Sequence, residues 1–548
     1  MRGRSLVLAL LAALVALSFP AAASAKKFSL GVAAGEITAN SAKVWGHTSK
    51  KGKFYAEVAE DKRFKEVVKA KKVKAKSGDD FTLQKTIKGL ASGEDFYYHF
   101  CTSKTPQKSD KGRAATVSKK KPGKQKCSDR GHFETAPASN QAATIRFAYT
   151  GDTDATPAPG TSAPFFNNFE TFQAMINENN DFNIHFGDTI YSDSEVGGTA
   201  PALTLEQKWA KYQLNISQPN LQAIRGSTGF YSHWDDHEFI NDFTLPEDGQ
   251  AIYDAGVQAF TDYAPADYQP STGLYRHFRW GSNAELFFLD ERSFRSAKAS
   301  AGGVCDNPAT PGAADLAPTA PDAQRGVFSL LIPSLSQPVS QQCIDTINDP
   351  NRTMLGKAQL DRFVADVSAS TAKWKIVMNE TPIQQFFGLP YDRWEGYAHE
   401  RIELLNRLEA AGVKNLVFLT TDTHANFVNV VRLRTFAGEK APANAPAGPT
   451  DTPYSDYVTG PVATNTFWKE IDSTVDSPGA GKLLSQAFFS PAPPQGVGMA
   501  CSQGDVFSYA EVEVSSASLT IHPKDAQGNT VKDTDGTTPC GPYTIPAQ

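Results

Sequence analysis

The stretch Asn183-Ile184-His185-Phe186-Gly187-Asp188-Thr189-Ile190-Tyr191-Ser192 decides the fold that we expect for this chain. The run from Asp181 to Phe186 predicts a buried strand, and Gly187-Asp188 predicts a turn directly after its carboxyl end. Open α/β sheets bind ligands at that edge. Asp188 is therefore expected to lie in a binding site, where a carboxylate needs positively charged partners.

Three other segments have the same form, an apolar run that ends in a turn with acidic or imidazole side chains. They are Phe147-Ala148-Tyr149-Thr150-Gly151-Asp152, Trp234-Asp235-Asp236-His237-Glu238 and Leu419-Thr420-Thr421-Asp422-Thr423-His424. Oxygen and imidazole ligands gathered at strand ends are typical of a metal centre that is assembled by folding. Each turn alone could equally be a solvated loop, but the four together favour a metal centre.

The length of the chain, 548 residues with a mass of 59.2 kDa, indicates two or more domains. Short alternating segments between 28 and 102 predict a small β-sandwich. From residue 143 onward, strand patterns alternate with helical patterns, which predicts an α/β layered domain. We place the two domains at 26–138 and 139–548.

Six cysteines fall into three pairs that are local in sequence: Cys101 with Cys127, Cys305 with Cys343, and Cys501 with Cys540. Local disulfides are favoured in an exported protein, although six cysteines allow other connectivities. The second pair lies in an Ala- and Pro-rich stretch at 301–351, and a similar stretch occupies 441–453. Both stretches predict surface excursions that rim the site.

The amino terminus predicts export. Arg2 and Arg4 precede an apolar run from Leu6 to Phe19, and Ala23-Ser24-Ala25 is a small-x-small cleavage pattern. We interpret residues 1–25 as a Sec-type signal peptide and expect a secreted, extracellular or periplasmic protein. A membrane anchor is disfavoured because the apolar run is shorter than the roughly 20 residues of a spanning helix.

Charge is unevenly distributed along the chain. Lys and Arg outnumber Asp and Glu between 26 and 130, whereas the rest of the chain is acidic. The basic part is expected to contact a polyanion such as a cell-wall polymer, or the acidic domain of its own chain, and a solvated lysine-rich face is equally compatible. Nucleic acid is not expected as a partner, since the basic part lacks interleaved aromatic side chains that stack on bases. We expect no transmembrane segment after the leader, and a monomer.

Taken together, the motifs resemble those of the PhoD-like alkaline phosphatases and phosphodiesterases, whose catalytic domain is related to calcineurin-like and purple acid phosphatases. The four turns above carry the resemblance together with Asn241, Leu289-Asp290-Glu291-Arg292, Leu355 to Leu360, Asp392 to Tyr397, Gly31 to Glu36, Val44-Trp45, Gly89-Leu90 and Tyr97-Tyr98. It covers nearly the whole mature chain. It implies an α/β layered, metallophosphoesterase-type β-sandwich core flanked by helices, preceded by a small all-β domain of Ig or fibronectin III type.

The resemblance also implies a set of metal ligands: Asp152, Asp188, Tyr191, Asn241, Asp422 and His424. His237 is expected to protonate the leaving alkoxide, with Asp236 in the same catalytic set. Arg292 and Arg295 are expected to hold the phosphate as bidentate donors, although ion pairs within the protein would explain them equally well. Trp394 would wall the leaving-group pocket or lie in the core.

Two or more metal ions are expected. In the family's best-understood members the first strand ends in a cysteine that binds iron, with calcium ions alongside, whereas this chain has Asp152 there. Iron and calcium follow from the resemblance, but the loss of a soft thiolate leaves an oxygen-rich set that manganese or zinc also fits. Asp188 is expected to bridge two ions, which lie roughly 3.5–4 Å apart in two-metal sites.

The expected function is metal-dependent hydrolysis of phosphate monoesters or diesters, by in-line attack of a metal-bound hydroxide on phosphorus. A phospholipase D-like or teichoic acid phosphodiesterase activity is an alternative within the same chemistry. A different alternative is a non-catalytic surface protein that binds a polyanion through the basic sandwich. Asp152 and Asp154, which stand where relatives have cysteine or histidine, keep that alternative open.

Overall fold

The structure, a computed structural model, describes residues 28–106 and 125–548. The signal peptide predicted at residues 1–25 lies outside the described residues. In the part of the chain that is described, none of the helices combines the length and the apolar character needed to cross a bilayer.

The chain begins with two antiparallel sheets that form a small sandwich. Their strands are β1 (Phe28–Gly35), β2 (Ser41–Thr48), β3 (Gly52–Ala59), β4 (Val67–Ala75), β5 (Thr82–Lys88), β6 (Asp95–Cys101) and β7 (Gly131–Glu134). The sheet orders are β1-β2-β5 and β4-β3-β6-β7. Alternating side chains such as Val44, Phe54, Val58 and Phe96 point inward and form the core.

Strand β4 has no counterpart in the sequence prediction. It lies at the edge of its sheet and carries lysines at most of its exposed positions. Lysine at an edge strand opposes pairing with other chains, and it also weakens the apolar alternation by which a strand is recognised.

The larger unit contains two sheets. The first contains β8 (Ile145–Thr150), β9 (Phe182–Phe186), β10 (Gly229–His233), β20 (Ser508–Val514), β21 (Ser518–Asp525) and β22 (Tyr543–Pro546). The second contains β11 (Arg276–Trp280), β12 (Ala284–Phe288), β15 (Trp374–Asn379), β16 (Leu416–Thr420), β17 (Asn426–Arg434), β18 (Thr450–Val458) and β19 (Cys501–Gln503). Their orders are β10-β9-β8-β20-β21-β22 and β11-β12-β15-β16-β18-β17-β19. A separate two-stranded ribbon pairs β13 (Asp306–Asn307) with β14 (Thr310–Ala314).

These two sheets pack face to face. Phe147, Phe182 and Phe186 of the first sheet share one buried apolar cluster with Phe288 and Met378 of the second. Neighbouring positions on the same strands face outward, because successive side chains of a strand point to opposite faces. Both faces of each central strand are therefore buried, which explains their near-continuous apolar sequences.

Helices cover the outer faces of the sandwich. The first sheet is covered by α1 (Glu170–Asn177), α2 (Leu205–Ile216), α3 (Pro219–Ser227) and α5 (Gln250–Tyr263), and the second by α8 (Lys357–Ala369) and α9 (Ala398–Ala410). The connections contain α4 (Leu245–Asp248), α6 (Asp322–Phe328), α7 (Gln341–Ile347), α10 (Phe467–Thr474) and α11 (Ala480–Leu484). The predicted β-sandwich core flanked by helices, behind a small all-β unit, is confirmed.

The excursions are partly as predicted. The stretch at 301–351 contains the β13–β14 ribbon, α6 and α7, and it is closed by the Cys305–Cys343 disulfide. The other two local pairs, Cys101–Cys127 and Cys501–Cys540, are also bonded, as predicted. The stretch at 441–453 is shorter than predicted, because β18 begins at Thr450 and pairs with both β16 and β17.

The site follows from where the central strands end. β9 pairs in parallel with β8 and with β10, so the carboxyl ends of all three lie at one edge of the first sheet. The turn after β16 comes from the second sheet, and the Thr421 hydroxyl donates to the Phe186 carbonyl at 2.7 Å. The four predicted turns therefore meet at one end of the sandwich.

Candidate metal centre

The turns that carry the predicted ligands have unusual backbone conformations. The φ angles of Asp152, Asp188, Asp422 and His424 are 67°, 48°, 61° and 55°. The left-handed region costs energy for a side chain with a Cβ, although Asp tolerates it better than most residues. Such conformations cluster where a fold holds functional side chains in a set direction.

The glycines before two of these aspartates are required by close approach. A Cβ on Gly151 would lie 2.5 Å from the Phe186 carbonyl oxygen, and one on Gly187 would lie 2.9 Å from the Cβ of Asp235. Gly187 also has a φ of 80°. The Gly-Asp pairs thus let the turns after β8, β9 and β10 pack directly against one another.

The structure brings the acidic and imidazole side chains together in overlapping groups. Three groups have ligand atoms within 4.8 Å of one another: Asp152, Asp188 and His424; Asp188, Asp236 and His237; and Asp235, Asp236 and Asp422. Asp188 and Asp236 each belong to two groups. The groups form a continuous row of donors that could hold more than one cation.

Unpartnered oxygens indicate that this row suits metal ions. Both carboxylate oxygens of Asp152 are buried, and no hydrogen bond reaches them from the described residues; the same holds for one oxygen each of Asp235 and Asp236. A buried carboxylate oxygen with no donor is costly, and a bound cation removes that cost. Burial raises the pKa of Asp152 to about 7 and raises the pKa of Asp188 well above its usual range, against the opposing charge of His237.

His424 is oriented by a carboxylate that the sequence did not indicate. Its Nδ1 lies 2.6 Å from Oε1 of Glu470 in α10, while Nε2 lies 2.9 Å from the Tyr191 hydroxyl and 3.7 Å from Oδ1 of Asp152. Burial disfavours the charged ring, but Glu470 outweighs it and raises the pKa of His424 to about 9. A carboxylate behind an imidazole fixes its tautomer and strengthens the other nitrogen as a ligand.

His237 has a similar arrangement. Its Nδ1 lies 2.6 Å from Oδ1 of Asp193, its ring stacks on Tyr191 with centroids 4.0 Å apart, and its backbone N–H donates to Oδ1 of Asp188 at 3.2 Å. The backbone N–H of Asn241 donates to the other oxygen of Asp193 at 2.8 Å. The Asn241 side chain is exposed at the mouth of the site, and its ligand role stays a prediction.

Asp154 is used within the loop. Its two oxygens accept hydrogen bonds from the Thr156 backbone N–H, at 2.8 Å, and from the Ser194 hydroxyl. A carboxylate whose oxygens are both engaged in this way orders the turn after β8. Asp154, which stands where related phosphatases have a histidine, therefore stabilises its own loop.

The structure places the predicted phosphate-binding arginines behind the site. Arg292 is fully buried, forms ion pairs with Asp235 and with Asp392, and has Nη2 3.8 Å from Oδ1 of Asp422. Arg295 is also buried, and its Nη1 lies 3.0 Å from Oδ1 of Asp392. Both guanidinium groups bind carboxylates that form the site, and neither arginine lines the cavity above it, so direct contact with a phosphate stays a prediction.

Trp394 lies in the core, one of the two positions expected for it. It is fully buried in the apolar cluster beneath the second sheet, and its Nε1 donates to Oε1 of Glu291 at 3.0 Å. Its size and apolar character are used for packing, and it does not line the cavity described next, so its substrate-binding role stays a prediction.

A cavity of about 370 Å³ opens above the row of carboxylates. The cavity is lined by seven residues of the predicted site: Asp188, Tyr191, Asp236, His237, Asn241, Asp422 and His424. Arg393 and Lys469 bring fixed positive charge to its wall, with Asp392 and Glu470 nearby. Arg393 belongs to the segment Asp392 to Tyr397, which carried part of the family resemblance. The sequence did not indicate that Arg393 is the basic residue of this segment that lines the cavity.

The arrangement can be compared with known proteins. The sequence profile described as PhoD-like phosphatase matches residues 159–491, and the profile of the PhoD-like phosphatase N-terminal domain matches residues 14–118. The chain belongs to the PhoD-like phosphatase family. The family match spans the turns after β9, β10 and β16, and the turn after β8, which carries Asp152, precedes the matched residues.

The individual proteins that this chain resembles share less than a quarter of its residues in the aligned regions. Alkaline phosphatase D of Bacillus subtilis (strain 168) is 24% identical over 460 residues, which are 74% of this chain and 66% of that protein, just under two thirds of its length. The solved structure of PhoD has a TM-score of 0.66 at 19% identity, covering 95% of this chain and 90% of that one. Purple acid phosphatase PPD1 from yellow lupin (Lupinus luteus) seeds has a TM-score of 0.54 at 11% identity, over 93% and 74% of the two chains. These structures share the fold.

Proposed function

We propose that this member of the PhoD-like phosphatase family is a metal-dependent phosphohydrolase. The observation that carries the proposal is the buried row of carboxylates around Asp188 and Asp236, which contains oxygens without donors and opens into a cavity whose wall includes Arg393 and Lys469. Such a site attracts cations to its floor and an anionic phosphate to its mouth.

The metal ligands that we propose are the six that the resemblance implied, Asp152, Asp188, Tyr191, Asn241, Asp422 and His424, extended by Asp235 and Asp236. Metal ions bound there supply Lewis acidity and lower the pKa of water, so that water can act as a nucleophile. Two or more ions fit the shared positions of Asp188 and Asp236. The proposed donors are oxygens with one imidazole, that of His424, which suits iron, calcium, manganese or zinc, and no thiolate is among them to favour an iron–thiolate site.

The side chains of this protein would bind and orient the ester. Arg393 and Lys469, which line the cavity, would bind the phosphate oxygens, with Arg292 and Arg295 behind them holding the carboxylates of the site. His237 is held at Nδ1 by Asp193, which leaves Nε2 to give a proton to the leaving alkoxide. Asp392, fixed between two buried arginines, keeps the wall of the cavity in position.

Export and polyanion contact remain proposals of their own. Three disulfides are formed in the described structure, which fits an oxidising compartment. The exposed lysines of β4, Lys71, Lys72 and Lys74, give the first sandwich a cationic edge that a polyanion could contact. A teichoic acid or lipid phosphodiester stays an alternative natural substrate.

The test combines metal content with turnover. Elemental analysis of purified protein should find about two or more ions per chain, and chelation should abolish hydrolysis of p-nitrophenyl phosphate or bis-p-nitrophenyl phosphate. Asp188→Asn should remove both metal and activity, whereas Asp254→Asn, at an exposed position of α5, should change neither. If metal-replete protein hydrolyses neither ester, the proposal fails and the non-catalytic alternative takes its place.

A further inference from the structure

A second cavity adjoins the candidate metal centre and differs from it in polarity. Its volume is about 90 Å³, and its walls are almost entirely apolar. The excursion at 301–351 contributes Phe328, Leu331 and Ile332, while Phe386 and Leu484 come from other parts of the chain. We call this cavity the apolar cleft.

The apolar cleft is continuous with the metal cavity. Leu389, Arg393, Phe467 and Ile471 line both of them. The backbone N–H of Phe467 donates to the His424 carbonyl at 3.1 Å, so a residue that lines the cleft is in direct contact with a proposed metal ligand. A ligand seated on the metal floor could therefore extend into the cleft without leaving protein contact.

Exposed apolar side chains mark the entrance. Leu331 and Leu389 line the cleft and are also exposed. Val327, Leu330 and Leu483 are exposed too, Leu330 by 83%, and each directly precedes a lining residue in the sequence. Together these five make up more than half of the exposed large apolar residues in the described ranges. Apolar surface gathered at the mouth of one cavity indicates a binding surface, since scattered exposure would not concentrate there.

A cation lies at the junction of the two cavities. The Arg393 guanidinium stacks over the Phe386 ring at 5.2 Å, and its Nε is buried without a partner among the described residues. An unsatisfied buried N–H at this point is suited to an anionic oxygen. In space, the metal site is followed by Arg393 and then by the apolar cleft. This order matches a molecule with a phosphate at one end and a hydrocarbon at the other.

We propose that the apolar cleft binds the hydrocarbon part of an amphiphilic phosphate ester, a substrate whose phosphate is bonded to an alkyl- or acyl-bearing alcohol. This inference rests on the proposed function, and it names the substrate class. Each methylene that leaves water for the cleft strengthens binding by about three- to fourfold until the cleft is filled.

The experiment uses a chain-length series, methyl, butyl and octyl p-nitrophenyl phosphate, with metal-loaded protein. The value of kcat/KM should rise from methyl to octyl by roughly 30-fold or more. Leu331→Asp should bring the octyl-to-methyl ratio close to one, because it places a charge at the mouth of the cleft. Leu203→Asp is the matched control, since Leu203 is 44% exposed against 45% for Leu331 and lies by α2, and it should keep the wild-type ratio.

A binding measurement separates the two proposals. Octylphosphonate should bind more tightly than methylphosphonate in calorimetry, whether or not turnover is seen. Hydrolysis with no dependence on chain length and equal binding of the two phosphonates would overturn this inference alone, and the cleft would then suit an apolar segment of a protein partner. Tight octylphosphonate binding without hydrolysis of any ester would overturn the proposed function and keep the cleft as a hydrocarbon site.

Discussion

Glu36 of the first sandwich forms an ion pair with Arg276 of β11, and this pair is the first step of a buried polar chain that leads to the candidate metal centre. Arg276 Nη2 lies 3.1 Å from Nδ1 of His233, whose Nε2 lies 2.9 Å from Oε1 of Glu380. The other oxygen of Glu380 lies 3.7 Å from Nε of Arg292, which holds Asp235. The two units of the protein are therefore connected through charged groups that reach the site.

Removal of Glu36 should destabilise the protein strongly. Glu36→Ala leaves the Arg276 charge buried without a counter-ion, which should lower the free energy of unfolding by about 3 kcal/mol. Glu513→Ala breaks the exposed pair with Arg146 and should cost less than about 1 kcal/mol. Urea titrations of both variants give the comparison, and equal losses would contradict it.

Glu470 should tune metal affinity through His424. Glu470→Gln keeps the size of the side chain but weakens its hold on Nδ1, so metal affinity should fall by about 10- to 100-fold. Competition with a chromogenic chelator measures this directly. Glu403→Gln, which disturbs only a surface pair with Arg407 on α9, should bind metal like the wild type. Unchanged affinity in Glu470→Gln would show that His424 needs no carboxylate behind it.

Asp152 should have opposite effects on the metal-free and metal-bound protein. Without metal, Asp152→Asn removes a buried carboxylate that has no donor, and the melting temperature in chelator should rise, by an amount equivalent to about 1 kcal/mol or more. With Mn²⁺ or Zn²⁺ present, the variant should gain less stability from metal than the wild type does. A melting temperature that falls by the same amount in both conditions would argue for a purely structural role.

Arg393 should matter for substrate binding. Arg393→Ala removes the cation shared by the two cavities, and kcat/KM for phosphate esters should decrease by about 10- to 100-fold, as for a charge-assisted hydrogen bond. Arg362→Ala, on the exposed face of α8, is the matched control and should leave the kinetics unchanged. Wild-type kinetics in Arg393→Ala would show that Arg393 does not bind the phosphate, and another cation would then have that role.

Asp262 should make stability depend on pH. Burial raises its pKa to about 7, against a hydrogen bond from Trp209. The unfolded pKa is about 3.9, so the folded protein binds more protons between about pH 4 and pH 7, and stability decreases as the pH rises through that window.

Asp262→Asn should remove this contribution. Its melting temperature should exceed that of the wild type at about pH 8 and match it more closely near pH 4, whereas Asp254→Asn should follow the wild type throughout. A constant difference between Asp262→Asn and the wild type at all pH values would show that the carboxyl does not titrate in this range.

Local patterns in the sequence were sufficient for much of the fold. Strand β9 was predicted to within one residue of its observed ends because its apolar run is short and bounded by a Gly-Asp turn. The bounds of β10 were not predicted, although a strand was implied before Trp234, since Gly229–His233 is buried on both faces and shows no alternation. The turn after it, with Asp235 and Asp236, was nevertheless recognised, because successive ionisable residues are a local feature.

The remaining features depend on packing between distant parts of the chain. Glu470 lies 46 residues from His424, and Asp193 lies 44 from His237, so no local periodicity could pair them. Residue type did identify Arg292 and Trp394, but their depth beneath the cavity depends on how the two sheets close over them. The sequence thus showed locally which side chains can carry charge. The burial of Arg292, the position of Arg393 on the cavity wall, and the joining of a polar and an apolar cavity came from long-range packing. A buried charge takes its role from the groups that folding places around it, and those groups are distant in sequence.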